Sequence, residues 1–151
     1  MKYYSIILFV GLLAFTTELR AQELDRPIFH ESQVERKKAA PFSDAVQVGN
    51  LFFLSGQIGI DNRTRSVVSG GIEAETEKTI HNIQEVLQQH GMDLSDVVKC
   101  TVILHDMTDF VVFNQVYARY FPQKPARTTF PAKGLAMDAK VEVEVLAVKT
   151  D

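Results

Sequence analysis

Cysteine is nearly absent from this 151-residue chain, and tryptophan is missing altogether. One thiol, Cys100, cannot build a disulfide framework or a multi-cysteine zinc or iron–sulfur site. Excess basic charge is lacking too: 16 Lys and Arg stand against 19 Asp and Glu, a net charge of −3. That balance argues against electrostatic capture of nucleic acid or of an anionic membrane. The four histidines, His30, His81, His90 and His105, form no H-x-x-x-H pair, and each reads as a surface or hydrogen-bonded side chain. There is no G-x-S-x-G, no P-loop and no G-x-G-x-x-G. Ser43 and Ser55 have no His or Asp arrangement nearby in sequence, so a serine-hydrolase reading is weak. What is present is ordinary for a globular protein, 46% apolar and 23% charged residues, and enough chain for one domain with a core.

The start of the chain has the form of a signal peptide. Lys2 precedes the nearly unbroken apolar run Ser5–Phe15, and a polar segment then ends at the small residue Ala21. The run is shorter than the ~20 residues a bilayer-spanning helix needs. Cleavage after Ala21 would leave Gln22 as the new terminus and an exported, periplasmic or secreted protein with no stable membrane association. Leu19 is a weaker match to the cleavage pattern than a small residue, and an uncleaved anchor is the alternative. No cysteine lies there to carry a lipid. Cys100 sits in the apolar run 97–104 and reads as a small buried hydrophobe rather than a catalytic thiol.

Residues 22–39 read as a loosely held arm, and residues 40–151 as one domain. Ala45–Val48 and Leu51–Ser55 flank Gly49-Asn50 as a hairpin. Asp61–Ser66 reads as a polar turn, with Val67-Val68 as a short third strand. Ile72, Thr76, Ile80, Ile83, Val86 and Leu87 recur at helical spacing, which predicts a helix over 72–90 stopped by Gly91. Glu73, Glu75 and Glu77 suit the positive end of its dipole. Residues 97–104 read as a strand with Val98, Cys100 and Val102 on one side. Thr108-Asp109 can cap a second helix over 110–121, with Phe110, Phe113, Val116, Tyr117 and Tyr120 inward. A short strand over 127–130, a loop over 131–139 and a strongly alternating strand over 140–148 complete the pattern. The sum is an α+β domain: about six strands with two helices on one face, and the other face partly apolar and suited to burial against copies of itself.

Two charges fall on apolar strands near the C-terminus. Arg127 could pair bidentately with a carboxylate, and Glu142 could act as a general base on water. Two solvated charges on a sheet face would explain them more simply.

The motifs from Pro41 to Val148 are more specific. Pro41-Phe42-Ser43, Val48-Gly49-Asn50, Ser55-Gly56-Gln57, Pro125-Ala126-Arg127-Thr128 and Val141-Glu142-Val143-Glu144 follow in the order and spacing of the YjgF/RidA family of reactive-intermediate deaminases, which the chain resembles. The resemblance implies a chorismate-mutase-like α+β fold and a homotrimer with ligand sites in the clefts between subunits. It implies hydrolysis of 2-imino acids to 2-oxo acids and ammonia, with no metal or organic cofactor. It places Arg127 on the substrate carboxylate and Glu142 at the attacking water. Ser55, Gly56, Asn114, Phe42 and Thr129 fall at the pocket wall. On this reading an Arg near Glu142 would keep the carboxylate ionised.

The chain departs from the family pattern at several points. Phe42 stands where active relatives have Tyr, Thr129 where many have Cys, and Ala40 replaces a Gly. Arg65 replaces a turn Gly, a difference expected to matter only locally. Phe42 and the export signal leave room for a second reading, a non-catalytic trimeric binder of small 2-oxo acids or similar carboxylates. A nuclease or translation inhibitor is a third reading, which the acidic charge disfavours.

Overall fold

The computed structural model describes residues 26–150. The expected signal peptide lies outside them. Among the described residues, no helix is long and apolar enough to cross a membrane.

A six-stranded mixed sheet carries two helices on one face. Its strands are β1 (Ile28–His30), β2 (Ala45–Val48), β3 (Leu51–Ile58), β6 (Val97–Leu104), β7 (Ala126–Pro131) and β8 (Val141–Val148), in spatial order β1-β2-β3-β8-β6-β7. A separate two-stranded ribbon is formed by β4 (Ile60–Asp61) and β5 (Ser66–Val67). The helices are α1 (Gly71–Gln89) and α2 (Phe110–Tyr120). The β6–β7 pair is parallel, with α2 as its crossover, and the remaining ladders are antiparallel.

The hairpin turns where the sequence places it, with Gly49 at φ 59, a conformation glycine adopts without steric cost. Four expectations need correcting. The strand at Val67 is not part of the main sheet; β1 supplies its sixth member. The arm is therefore not loose at that point: Ile28 to His30 pair with Gln47 to Ala45, and Ser32 beyond them is buried. Nor does Val98 face the core. A register shift between Val97 and Lys99 turns it outward, 43% exposed, while Val97, Cys100, Val102 and Leu104 point at the helices. Finally, the α2 entry is capped by Asp106, whose Oδ1 accepts the Thr108 N–H at 2.8 Å, and not by Thr108-Asp109.

The core lies between the sheet and the helices. Phe52 of β3, Phe113 of α2 and Phe121 just beyond it, with Ile80, Ile83 and Leu87 of α1, are its largest fully buried side chains, and Val141, Val143 and Val145 of β8 pack into the same cluster. The strict alternation in β8 buries the three valines and sends Glu142 and Glu144 to the opposite face. Two contacts fix where β8 begins. The Glu75 carboxylate, buried within α1, accepts the Lys140 N–H at 2.7 Å. Gly59 lets the end of β3 approach α1, since a Cβ there would come within 2.7 Å of the Glu75 backbone. Of the three glutamates expected to serve the helix dipole, Glu75 thus has a tertiary role, and Glu73 and Glu77 both face Arg119.

Candidate active site

Glu142 lies on the helix-free face of the sheet. Its carboxyl rests directly over Gly56, where β3 passes beside β8: a Cβ on Gly56 would clash with Glu142 Oε1 and sit 2.9 Å from Cδ. Glycine at this position leaves room for the acid, which occupies the space a side chain would fill. The irregular pairing of β3 with β8 between Leu54 and Gln57 makes room for this arrangement. Glu142, Gly56 and Phe42 line one cavity of about 250 Å³, with Lys37, Gln57, Arg65 and Met137. Burial pushes the Glu142 carboxyl above its ordinary pKa, and the charge of Glu144 adds to the effect.

Ser55 borders the adjoining hollow with Phe42 and Ser43. Its hydroxyl donates to the Ser43 carbonyl at 2.7 Å, and its N–H donates to the Asp44 carbonyl at 3.0 Å. Both bonds tie the Pro41–Asp44 segment to β3, so Ser55 sets the position of Phe42. Phe42 itself is 58% exposed and brings no hydroxyl to the wall.

Arg127 is elsewhere. It stands opposite Cys100 in the β6–β7 ladder, on the face that α2 covers. Its guanidinium carbon lies 4.7 Å from the Tyr117 ring centroid, 5.6 Å from that of Phe113 and 5.7 Å from that of Phe110. These cation–π contacts fix the side chain against the helix. Phe110, Asn114 and Tyr117 recur at intervals of four and three, which puts Asn114 on the same side of α2. Thr129 shares the Arg127 face of β7 by alternation, and its buried hydroxyl oxygen has no hydrogen-bond partner. Cys100 is buried beneath Arg127 and takes the Tyr117 hydroxyl's hydrogen bond at 3.2 Å. Burial raises the thiol pKa, as an inert core cysteine requires, and burial likewise pushes the Tyr117 phenol up.

The candidate residues therefore fall into two groups on opposite faces of one sheet: Phe42, Ser55, Gly56 and Glu142 on one, Arg127, Asn114 and Thr129 on the other. Arg127 does not approach Glu142 within a single chain, and the Glu142 carboxyl pKa is raised rather than held down. The reason is register. Arg127 pairs with Cys100, which faces the helices, whereas Glu142 pairs with Ile103, which faces away. Lys37 and Arg65 also escaped the reading of the sequence. Lys37 falls in the segment read as an arm and Arg65 in a polar turn, and no periodicity connects them to Glu142.

The fold and this site define a two-layer α+β domain with a small-molecule cavity built around a strand-borne carboxylate. The chain belongs to the family described as endoribonuclease L-PSP, which matches residues 33–149, and to which the YjgF/RidA motifs point. It is 39% identical over 110 residues to a mouse protein named 2-iminobutanoate/2-iminopropanoate deaminase, covering 72% of this chain and 82% of the mouse one. It is 43% identical over 108 residues to the chloroplastic Reactive Intermediate Deaminase A of Arabidopsis thaliana, covering 71% of this chain and 58% of that one. The crystal structure of the Escherichia coli YjgF gene product superimposes with a TM-score of 0.70 at 29% identity, over 74% of this chain and 91% of that one.

Proposed function

We propose that this protein hydrolyses reactive 2-imino acids to 2-oxo acids and ammonia, at a site completed between copies of the chain. The observation that carries the reading is the Glu142 carboxyl seated over Gly56 at the wall of a cavity of substrate size. Two relatives named as deaminases support it. The separation of Arg127 from Glu142 supports a homotrimer with clefts shared between neighbours, as the family resemblance implies, because one chain alone cannot offer both groups to one small molecule.

The chemistry asks little of the protein. A protonated imine carbon is already electrophilic. Arg127 of one copy holds the substrate carboxylate through paired N–H donors. Glu142 of the next copy takes a proton from water as its oxygen bonds to C2 and the C=N π pair moves to nitrogen. In the collapse the Glu142 proton passes to the amino nitrogen, the C–N bond breaks as the C=O bond forms, and the hydroxyl proton returns to the carboxylate and then to the departing ammonia, which leaves as ammonium. Asn114, Thr129, Ser55 and Phe42 shape the walls, and orientation supplies most of the acceleration.

A second reading, a non-catalytic trimeric binder of 2-oxo acids, is favoured by Phe42, which lacks a phenol hydroxyl at the wall. An oxidase-coupled assay separates the two. Imines are generated from a panel of amino acids, and the purified protein is expected to accelerate their loss. Binding of 2-oxobutanoate without acceleration would establish the binder instead. RNA incubated with the protein is expected to stay intact.

A further inference from the structure

The cavity that holds Glu142 also holds two cations. Lys37 arrives from the single helical turn at Glu35–Lys37, and Arg65 from the turn between β4 and β5. Two segments remote in sequence thus deliver positive charge to one place. Among the described residues, no ion pair joins either cation to Glu142. The Lys37 ammonium lies 3.6 Å from Asp44 Oδ1 and 3.4 Å from Gln57 Oε1. Both contacts are long for charge-assisted bonds, and three donors leave capacity for a further acceptor. Arg65 is less satisfied still: its Nη1 is buried and has no hydrogen-bond partner. Its backbone adopts φ 59, a left-handed conformation that disfavours any residue with a Cβ and that glycine would take freely. The turn carries strain at a position whose side chain lines the cavity.

We infer that Lys37 and Arg65 form a subsite for a second anionic group on the substrate, so that the preferred substrates are 2-imino dicarboxylic acids. The inference rests on the deaminase reading of the same cavity. Arg127 of a neighbouring copy holds the carboxylate next to the imine, which leaves these two cations for a carboxylate at the end of the side chain. That group fills the acceptor role at the Arg65 guanidinium and the Lys37 ammonium together. An apolar side chain would leave both sets of donors unpaired in a partly dry cavity, so discrimination comes from what the wrong substrate lacks.

The test compares imines made enzymatically from glutamate and from alanine, and in parallel measures 2-oxoglutarate and 2-oxobutanoate binding by calorimetry. Wild type is expected to favour the glutamate-derived imine in kcat/KM, and 2-oxoglutarate in affinity, by about tenfold or more. Arg65→Gly, which relieves the backbone strain and should fold readily, is expected to reduce both preferences about tenfold, and Arg65→Lys to retain part of each. Equal handling of acidic and apolar substrates by wild type, or preferences unchanged in Arg65→Gly, would overturn the subsite while leaving the deaminase reading intact. Loss of the deaminase reading shows differently, as no acceleration of any imine, and the calorimetric preference then still decides the subsite.

Discussion

Glu142 and Glu144 stand two residues apart on the same face of β8, and the first is partly buried while the second is exposed. Burial and that neighbouring charge raise the pKa of Glu142. A general base must be ionised, so the acid limb of the kcat/KM profile should follow this group. Glu144→Gln removes the repulsion and should move that limb to lower pH, as a pH–rate series would record. The same shift bears on stability. The folded state keeps its Glu142 proton at pH values where the unfolded chain has lost it, so this group's contribution falls as pH rises from 4.5 through the folded pKa. Substitution should also separate the two principal residues. Arg127→Ala should weaken 2-oxobutanoate binding by the worth of a charge-assisted pair, about 1.5–3 kcal/mol. Glu142→Gln should lower imine turnover by about 100-fold while binding is nearly retained. Calorimetry and the coupled assay read the two effects, and equal turnover in Glu142→Gln and wild type would remove the proposed base. Gly56→Ala should behave like a loss of Glu142, because the new methyl group takes the place of the carboxyl.

β1 is a short element held by chemistry that acid weakens. His30 stacks on Phe52 and meets the His90 ring at a centroid distance of 4.3 Å, while Gln47 Oε1 lies 3.1 Å from its Nε2. Burial, then the proximity of His30 and Lys149, lowers the His90 pKa. The stability His90 contributes is full above pH 6.5 and is lost as pH falls toward its depressed folded value. Thermal unfolding followed from pH 8 to 5 should show a decline that His90→Gln flattens. Such a latch was not legible in the sequence, where His30 and His90 lie 60 positions apart and the arm's polarity suggested no partner. The elements that were legible carry long periodic signals: the α1 stripe, the β8 alternation, and the hairpin at Gly49. What escaped depends on single residues in tertiary context. The turned Val98 needs a register shift, and Asp106 displaced the expected cap by offering its oxygen two residues before Thr108. For the site, motif order named Arg127 and Glu142, but only the β6–β7 and β6–β8 registers reveal that they face apart.

The whole molecule leaves apolar surface on its helix-free face, with Phe53 at 47% and Phe130 at 42% exposure. Light scattering of the purified protein at micromolar concentration should give about three times the monomer mass if, as proposed, a closed cyclic assembly covers this face and unites the two halves of the site. A complementation experiment tests the shared site directly. Arg127→Ala and Glu142→Gln chains, each inactive alone, should regain roughly a quarter of wild-type activity when mixed as unfolded chains and refolded together. No recovery in mixed trimers would sink the division of the site between copies. Export is a further expectation, and the mass of the mature protein should place its terminus near Gln22. The opposed faces of Arg127 and Glu142 also have a consequence in mass action. If neither half works alone, activity follows the concentration of assembled protein and not that of chains. On dilution, specific activity would fall steeply once subunits separate, and it would return on reconcentration. An enzyme whose site is divided in this way would work only where enough of it has accumulated.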